Sequence, residues 1–191
     1  MKMKKIISAF IIGISIVSCL EKKETNWTET ENNQLKAKAD SIANISQKTL
    51  LRNVASAMEK GGTEYALEFC NLKADSLTND LSKEYAVAIH RISDKNRNPE
   101  NGLKTKNQKA VFEDFKSNPD LVDTLISAEN HFVYYKKITT ALPSCLKCHG
   151  NPETDIEPET YKKIKTLYPN DKAEAYALNE LRGLWEIVIE K

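Results

Sequence analysis

The stretch TEYALEFCNLKADSLTNDLSKEYAVAIHRI, Thr63 to Ile92, changes its hydrophobic period part-way along. Leu67, Cys70, Ala74, Leu77 and Leu81 recur at gaps of 3, 4, 3 and 4, which lays one apolar stripe along a helix with Cys70 inside it. From Tyr85 to Ile92 the spacing falls to two, with Val87, Ile89 and Arg91 on one side, and the segment reads as a strand. Upstream, Ile42, Ile45, Leu50, Val54, Ala57 and Met58 give a helical pattern from Gln34 to Lys60. Gly61-Gly62 stops that helix, and Thr63 can cap the next. Downstream, Ser93 to Lys106 is a polar loop, Asn107 to Ser117 a helix around Val111, Phe112 and Phe115, and His131 to Thr140 a β-branched, aromatic strand. Pro158 to Leu167 reads as a short helix and Leu184 to Ile189 as a terminal strand. Helices first and separated strands after them predict an α+β fold with a small antiparallel sheet.

Composition narrows the class. The chain has 191 residues, with 28 basic and 27 acidic side chains, so no charge excess favours a nucleic-acid partner. Six glycines and six prolines exclude collagen-like and low-complexity classes. Four cysteines are too few for a disulfide-dense scaffold, so their placement carries the information.

The first cysteine closes a leader. Lys2, Lys4 and Lys5 precede an apolar run, Ile6 to Val17, that is short for a membrane span. Ile16-Val17-Ser18-Cys19 resembles a bacterial lipobox, which implies a signal peptide over 1–18 and lipidation of Cys19. Losing the leader leaves 25 basic against 27 acidic residues, a net charge of −2. A lipid anchor at Cys19 would hold the protein to a membrane, with 19–33 a polar tether and 34–191 the folded domain. The expected location is extracytoplasmic: periplasm-facing or on the cell surface, at the outer membrane.

Two further cysteines form Cys145-Leu146-Lys147-Cys148-His149, the c-type haem attachment signal C-x-x-C-H. Two thiols bond the two vinyl groups of the porphyrin, and the adjoining histidine becomes the proximal iron ligand. Composition alone would produce the pattern about once in a thousand shuffles, which argues against coincidence. A Cys145–Cys148 disulfide and a redox-active thiol pair are the competing readings. A zinc site would want a further ligand pair, which the sequence lacks. One motif implies one haem c, covalently attached. No methionine follows Cys148, so a sixth iron ligand must lie upstream, among Cys70, Met58, His90 and His131.

The fragments Ala66-Leu67-Glu68-Phe69-Cys70, Arg91-Ile92-Ser93, Arg97-Asn98-Pro99-Glu100-Asn101 and Tyr134-Tyr135-Lys136 precede the haem motif and Gly150. Tyr168-Pro169-Asn170-Asp171 and Leu181-Arg182-Gly183 follow it. In that order they resemble the PAS-like c-type haem family, extracytoplasmic haem domains found alone or as sensor modules, over roughly Leu50 to Lys191. The resemblance implies a PAS-like sheet preceded by helices, a haem-attachment loop, and a haem with histidine on one side and a cysteine sulfur, here Cys70, on the other. The chain departs from the family pattern at Asp75, where a proline is usual, at Ala175, where a glycine is usual, and at Asn179-Glu180, which replaces Gly-Asp. Arg91, Arg97 and Arg182 are candidate partners for the haem propionates, since guanidinium–carboxylate contacts are strong.

The expected function is that of a lipid-anchored monohaem protein, acting as a redox or diatomic-gas sensor or as a redox partner of another protein. A simple periplasmic electron-transfer cytochrome c is the alternative. A haem peroxidase-like enzyme would need a positioned acid–base group over an open site, and no defensible histidine–arginine pair supplies one, so a non-enzymatic role is expected.

Overall fold

The computed structural model describes residues 28–127 and 130–190. The leader, Cys19 and the tether up to Trp27 lie outside the described residues. The first helix, α1, spans Glu29–Tyr85 and is broken at Gly61 and Gly62. Gly62 sits at φ 69°, a left-handed backbone that suits glycine, so the break falls where the sequence places it. The helix starts before Gln34 because Thr28 and Glu31 form a capping box: the Thr28 hydroxyl accepts from Glu31 N–H, and the Glu31 carboxylate accepts from Thr28 N–H.

Strand β1 covers Ala88–Ile92 and α2 covers Lys106–Ser117, with a short 3₁₀ turn, Pro99–Asn101, between them. β2 (Asp123–Ser127) and β3 (His131–Thr139) follow, then α3 (Pro143–His149), α4 (Pro158–Leu167) and β4 (Leu181–Glu190). The sheet has the order β1-β4-β3-β2 and is antiparallel throughout. The last strand therefore lies in the middle, between β1 and β3.

Three expectations need correcting. The sequence reading missed β2, an edge strand whose first four residues are all half-buried, so no polar–apolar alternation marks it. The C-x-x-C-H segment, expected as a loop, is a helix, α3: Pro143 at its first turn sets the helical φ, and no glycine interrupts it before Gly150. The strand expected from Tyr85 begins at Ala88, because α1 runs on to Tyr85 and turns at Ala86 in the left-handed region, φ 51°.

Both faces of the sheet are covered. On one, Ala39, Ile42 and Ala43 of α1 pack against Ile89, Phe132, Tyr134, Trp185 and Ile187. On the other, Val111, Phe112 and Phe115 of α2 pack against Ile92, Tyr135 and Leu184. Tyr134 and Tyr135 are both buried because consecutive strand residues face opposite ways. The second arm of α1 packs on the sheet through Leu81 and Tyr85 and, nearer its start, on α4 through Leu67, Ile156 and Ile164, with Cys148 against the same cluster. A cavity remains between that arm, the β1 end of the sheet and α3. No helix of the described residues is long and apolar enough to cross a membrane.

Candidate functional site

The cavity measures about 410 Å³. Leu50, Val54, Met58, Ala66 and Leu67 make its wall apolar, and both arms of α1 contribute. Cys70, Cys145, Cys148 and His149 line it together, although Cys70 lies on α1 and the other three on α3. Of the other sulfur and histidine candidates, Met58 lines the cavity. His90 is exposed on β1 opposite Glu186, and His131 opens β3 opposite Glu190; neither reaches the cavity. Among the described residues Cys70, Cys145 and Cys148 are free thiols.

The chain conditions each donor. His149 Nδ1 lies 2.8 Å from the Ala173 carbonyl oxygen, and a carbonyl can only accept, so Nδ1 carries the proton. That leaves Nε2 with its lone pair, as a metal ligand requires. Burial, and then the nearby Arg182 and Arg97 charges, hold the imidazole pKa well below its ordinary value, so the ring stays neutral. The Tyr176 ring stands edge-on to it at 6.2 Å. Burial pushes the Cys148 thiol up to about 11 against the pull of Arg97, and raises Cys70 against the pull of Arg91 and Arg97.

The helix carrying the motif is locked at its C-terminal end. Gly150 has no room for a side chain: a Cβ there would lie 2.6 Å from Asp155 Cβ and 2.7 Å from the Leu146 carbonyl oxygen. Tyr176 N–H donates to the His149 carbonyl and Ala175 N–H to the Gly150 carbonyl. The loop that does this holds Ala175 at φ 58° and Asn179 at φ 65°. The chain thus keeps a left-handed backbone at both departures from the family's glycines, with asparagine, which tolerates it, at the second.

The three arginines have different settings. Arg91 pairs with Asp75 at 2.9 Å, and Asp75 also accepts from Asn98 at 2.7 Å, so the departure from proline ties α1 to β1 and to the loop after it. Arg97 is 10 % exposed and grips Asp171, 0 % exposed, through Nε and Nη2. Arg182 also lines the cavity. Its Nη1 donates to Ser93 Oγ at 3.2 Å and to the Lys95 carbonyl at 3.3 Å, and the Tyr176 ring lies 5.4 Å away. Its Nε is buried without a partner, no acid forms an ion pair with it among the described residues, and burial lowers its pKa.

A haem would answer these features. It brings an apolar plate for the wall, an iron for His149 and a sulfur donor, vinyl groups for Cys145 and Cys148, and carboxylates for an unpaired guanidinium. The donor set fits the group. Sequence reasoning did not find Asp171 or the Ala173 carbonyl. The first stood inside the Tyr168–Asp171 tract without a role, and the second is backbone, which leaves no side-chain signal.

Comparison with known proteins gives a solved structure and a family. The crystal structure described as the cyanobacterial heme-protein Tll0287 superposes with a TM-score of 0.61. It is 20% identical, covers 86% of this chain and is itself covered over 98% of its length, so the folds agree almost end to end. No curated protein matches the chain. The family model described as Tll0287-like matches residues 24–190, and the chain belongs to the Tll0287-like family.

Proposed function

We propose that this chain is a monohaem c-type protein that works by redox or diatomic-gas sensing, or as the redox partner of another protein, on a PAS-like domain. The observation that carries the reading is the convergence of Cys145, Cys148, His149 and Cys70 on one apolar-walled cavity beside an unpaired arginine. A structural relative described as a heme-protein supports it. A haem bound there supplies a one-electron couple.

The residues take distinct roles. Cys145 and Cys148 hold the group covalently, and His149 donates Nε2. Cys70, on the second arm of α1, would offer its sulfur to the iron, and Arg182 would pair with a haem carboxylate. Arg91 pairs with Asp75 at the polar end of the cavity, where a second carboxylate would compete for it. Arg97 is committed to Asp171 and the backbone, so its work is to hold the attachment segment. Cys19 carries the lipid anchor that keeps the domain at an extracytoplasmic membrane surface.

Sensing and plain electron transfer differ in what happens to Cys70 on reduction. Bound as a thiolate, Cys70 would favour ferric over ferrous iron, so the two readings differ in whether Cys70 holds the group in both oxidation states. Absorption spectra of ferric and dithionite-reduced protein, with and without carbon monoxide, separate the two. Sensing predicts that the ferric spectrum depends on Cys70, changing in Cys70→Ala, and that the reduced wild type binds carbon monoxide. A reduced protein that keeps its ferric ligand set and ignores carbon monoxide would make this an electron carrier.

A further inference from the structure

The Ala173 carbonyl oxygen accepts two hydrogen bonds, one from His149 Nδ1–H at 2.8 Å and one from Arg97 Nη2–H at 3.2 Å. The same Nη2 also faces the Cys148 carbonyl at 2.6 Å and Asp171 Oδ2 at 3.0 Å. Nη2 carries two hydrogens for these acceptors, so one hydrogen is shared. Asp171 fixes the arrangement from both sides. Its Oδ2 takes Arg97, and its Oδ1 takes both Arg97 Nε at 3.2 Å and Ala173 N–H at 2.9 Å. Guanidinium, carboxylate and peptide close a ring whose common point is the oxygen that orients the histidine.

Such a bond matters for a metal-binding histidine. The more strongly Nδ1–H is drawn to its acceptor, the more electron-rich Nε2 becomes. A carbonyl already engaged by a cationic donor has less density to offer. We propose that Arg97 is a positioning residue that tunes His149 through this shared carbonyl, holding the imidazole as a moderate donor instead of an imidazolate-like one. The proposal rests on the haem reading and adds what Arg97 does to it.

The test is Arg97→Gln in the haem-loaded protein, with covalent haem and helix content first shown to match wild type. Two quantities are read: the midpoint potential and the His149 Nδ1 proton resonance. Freed of its competitor, the Nδ1–H bond strengthens, so the resonance moves downfield and the potential falls. Loss of a positive charge through space also lowers the potential but leaves the resonance in place, and that result would overturn the proposal. Unchanged values in both would overturn it too, as would a rise in potential with an upfield shift. Arg97→Lys covers poor folding of the glutamine variant. Lysine keeps the charge but not the planar fork, so it moves the resonance if the shared bond matters and leaves it alone if charge is the whole effect. A wild-type protein that carries no haem overturns both readings, so the two failures are distinguishable.

Discussion

At the scale of single residues, Arg182 is the side chain whose setting is hardest to explain without a ligand. A guanidinium with a buried, unpartnered Nε is costly unless an anion neutralises it. Arg182→Met should therefore act in opposite directions in two backgrounds. In the haem-free Cys145→Ala/Cys148→Ala protein it should raise stability by about 1 kcal/mol, because the unpaired charge is gone. In the loaded protein it should lower stability by about 1–3 kcal/mol, because a charge-assisted hydrogen bond to a carboxylate is lost. Thermal melts of the four proteins check this, and the same sign in both backgrounds would remove Arg182 from the site. Cys145, Cys148 and His149 could be singled out from the C-x-x-C-H spacing alone, and the structure places all three at one cavity. Cys70 was legible as one of four candidates, and the fold narrows these to Cys70 and Met58 at the cavity. The roles of Asp171 and Ala173 were not legible, because a carbonyl acceptor has no side-chain signature and an aspartate in a loop has many uses.

At the scale of elements, the site depends on how α1 is held. Its first arm is pinned to β3 by Asp40, which accepts from Tyr134 Oη at 2.7 Å, Lys136 Nζ at 2.6 Å and Asn44 Nδ2 at 2.9 Å. Burial works against the Asp40 charge, but the bonds from Lys136 and Tyr134 outweigh it and leave the carboxyl below its ordinary 3.8. A depressed folded value gives stability that is present above the unfolded pKa and lost as pH falls through the folded one. Asp40→Asn should therefore cost about 1 kcal/mol at pH 7, a value kept small by the solvent screening of a half-exposed group. The gap to wild type should close below pH 3.8, which urea midpoints at pH 7 and pH 3 would show. Elements with strong periodicity were readable: the α1 stripe, α2 around its phenylalanines, β3 and α4. β2 was not, since an edge strand need not alternate. Nor was α3, because a short helix opened by proline and closed by a crowded glycine has no room for a periodic pattern.

At the scale of the whole molecule, the fold brings together what the chain keeps apart. The last strand inserts between β1 and β3, and this carries Arg182 and Gly183 to the cavity beside residues from α1 and α3. Gly183 has no room for a side chain, since a Cβ there would meet the Ile92 carbonyl oxygen at 2.7 Å. The α+β class followed from the change of period after Leu81, but the strand order could not, because register and neighbour choice depend on contacts between distant segments. The proposed haem, held covalently through Cys145 and Cys148 in this cavity, is open to a single decisive experiment. That experiment is a pyridine haemochrome spectrum of denatured, acid–organic-extracted protein, made with its leader in a host with cytochrome c maturation. A c-type band at one haem per chain, absent from Cys145→Ala/Cys148→Ala, is expected; a wild-type protein that leaves all its haem in the organic phase, or carries none, would rule out covalent attachment at these cysteines.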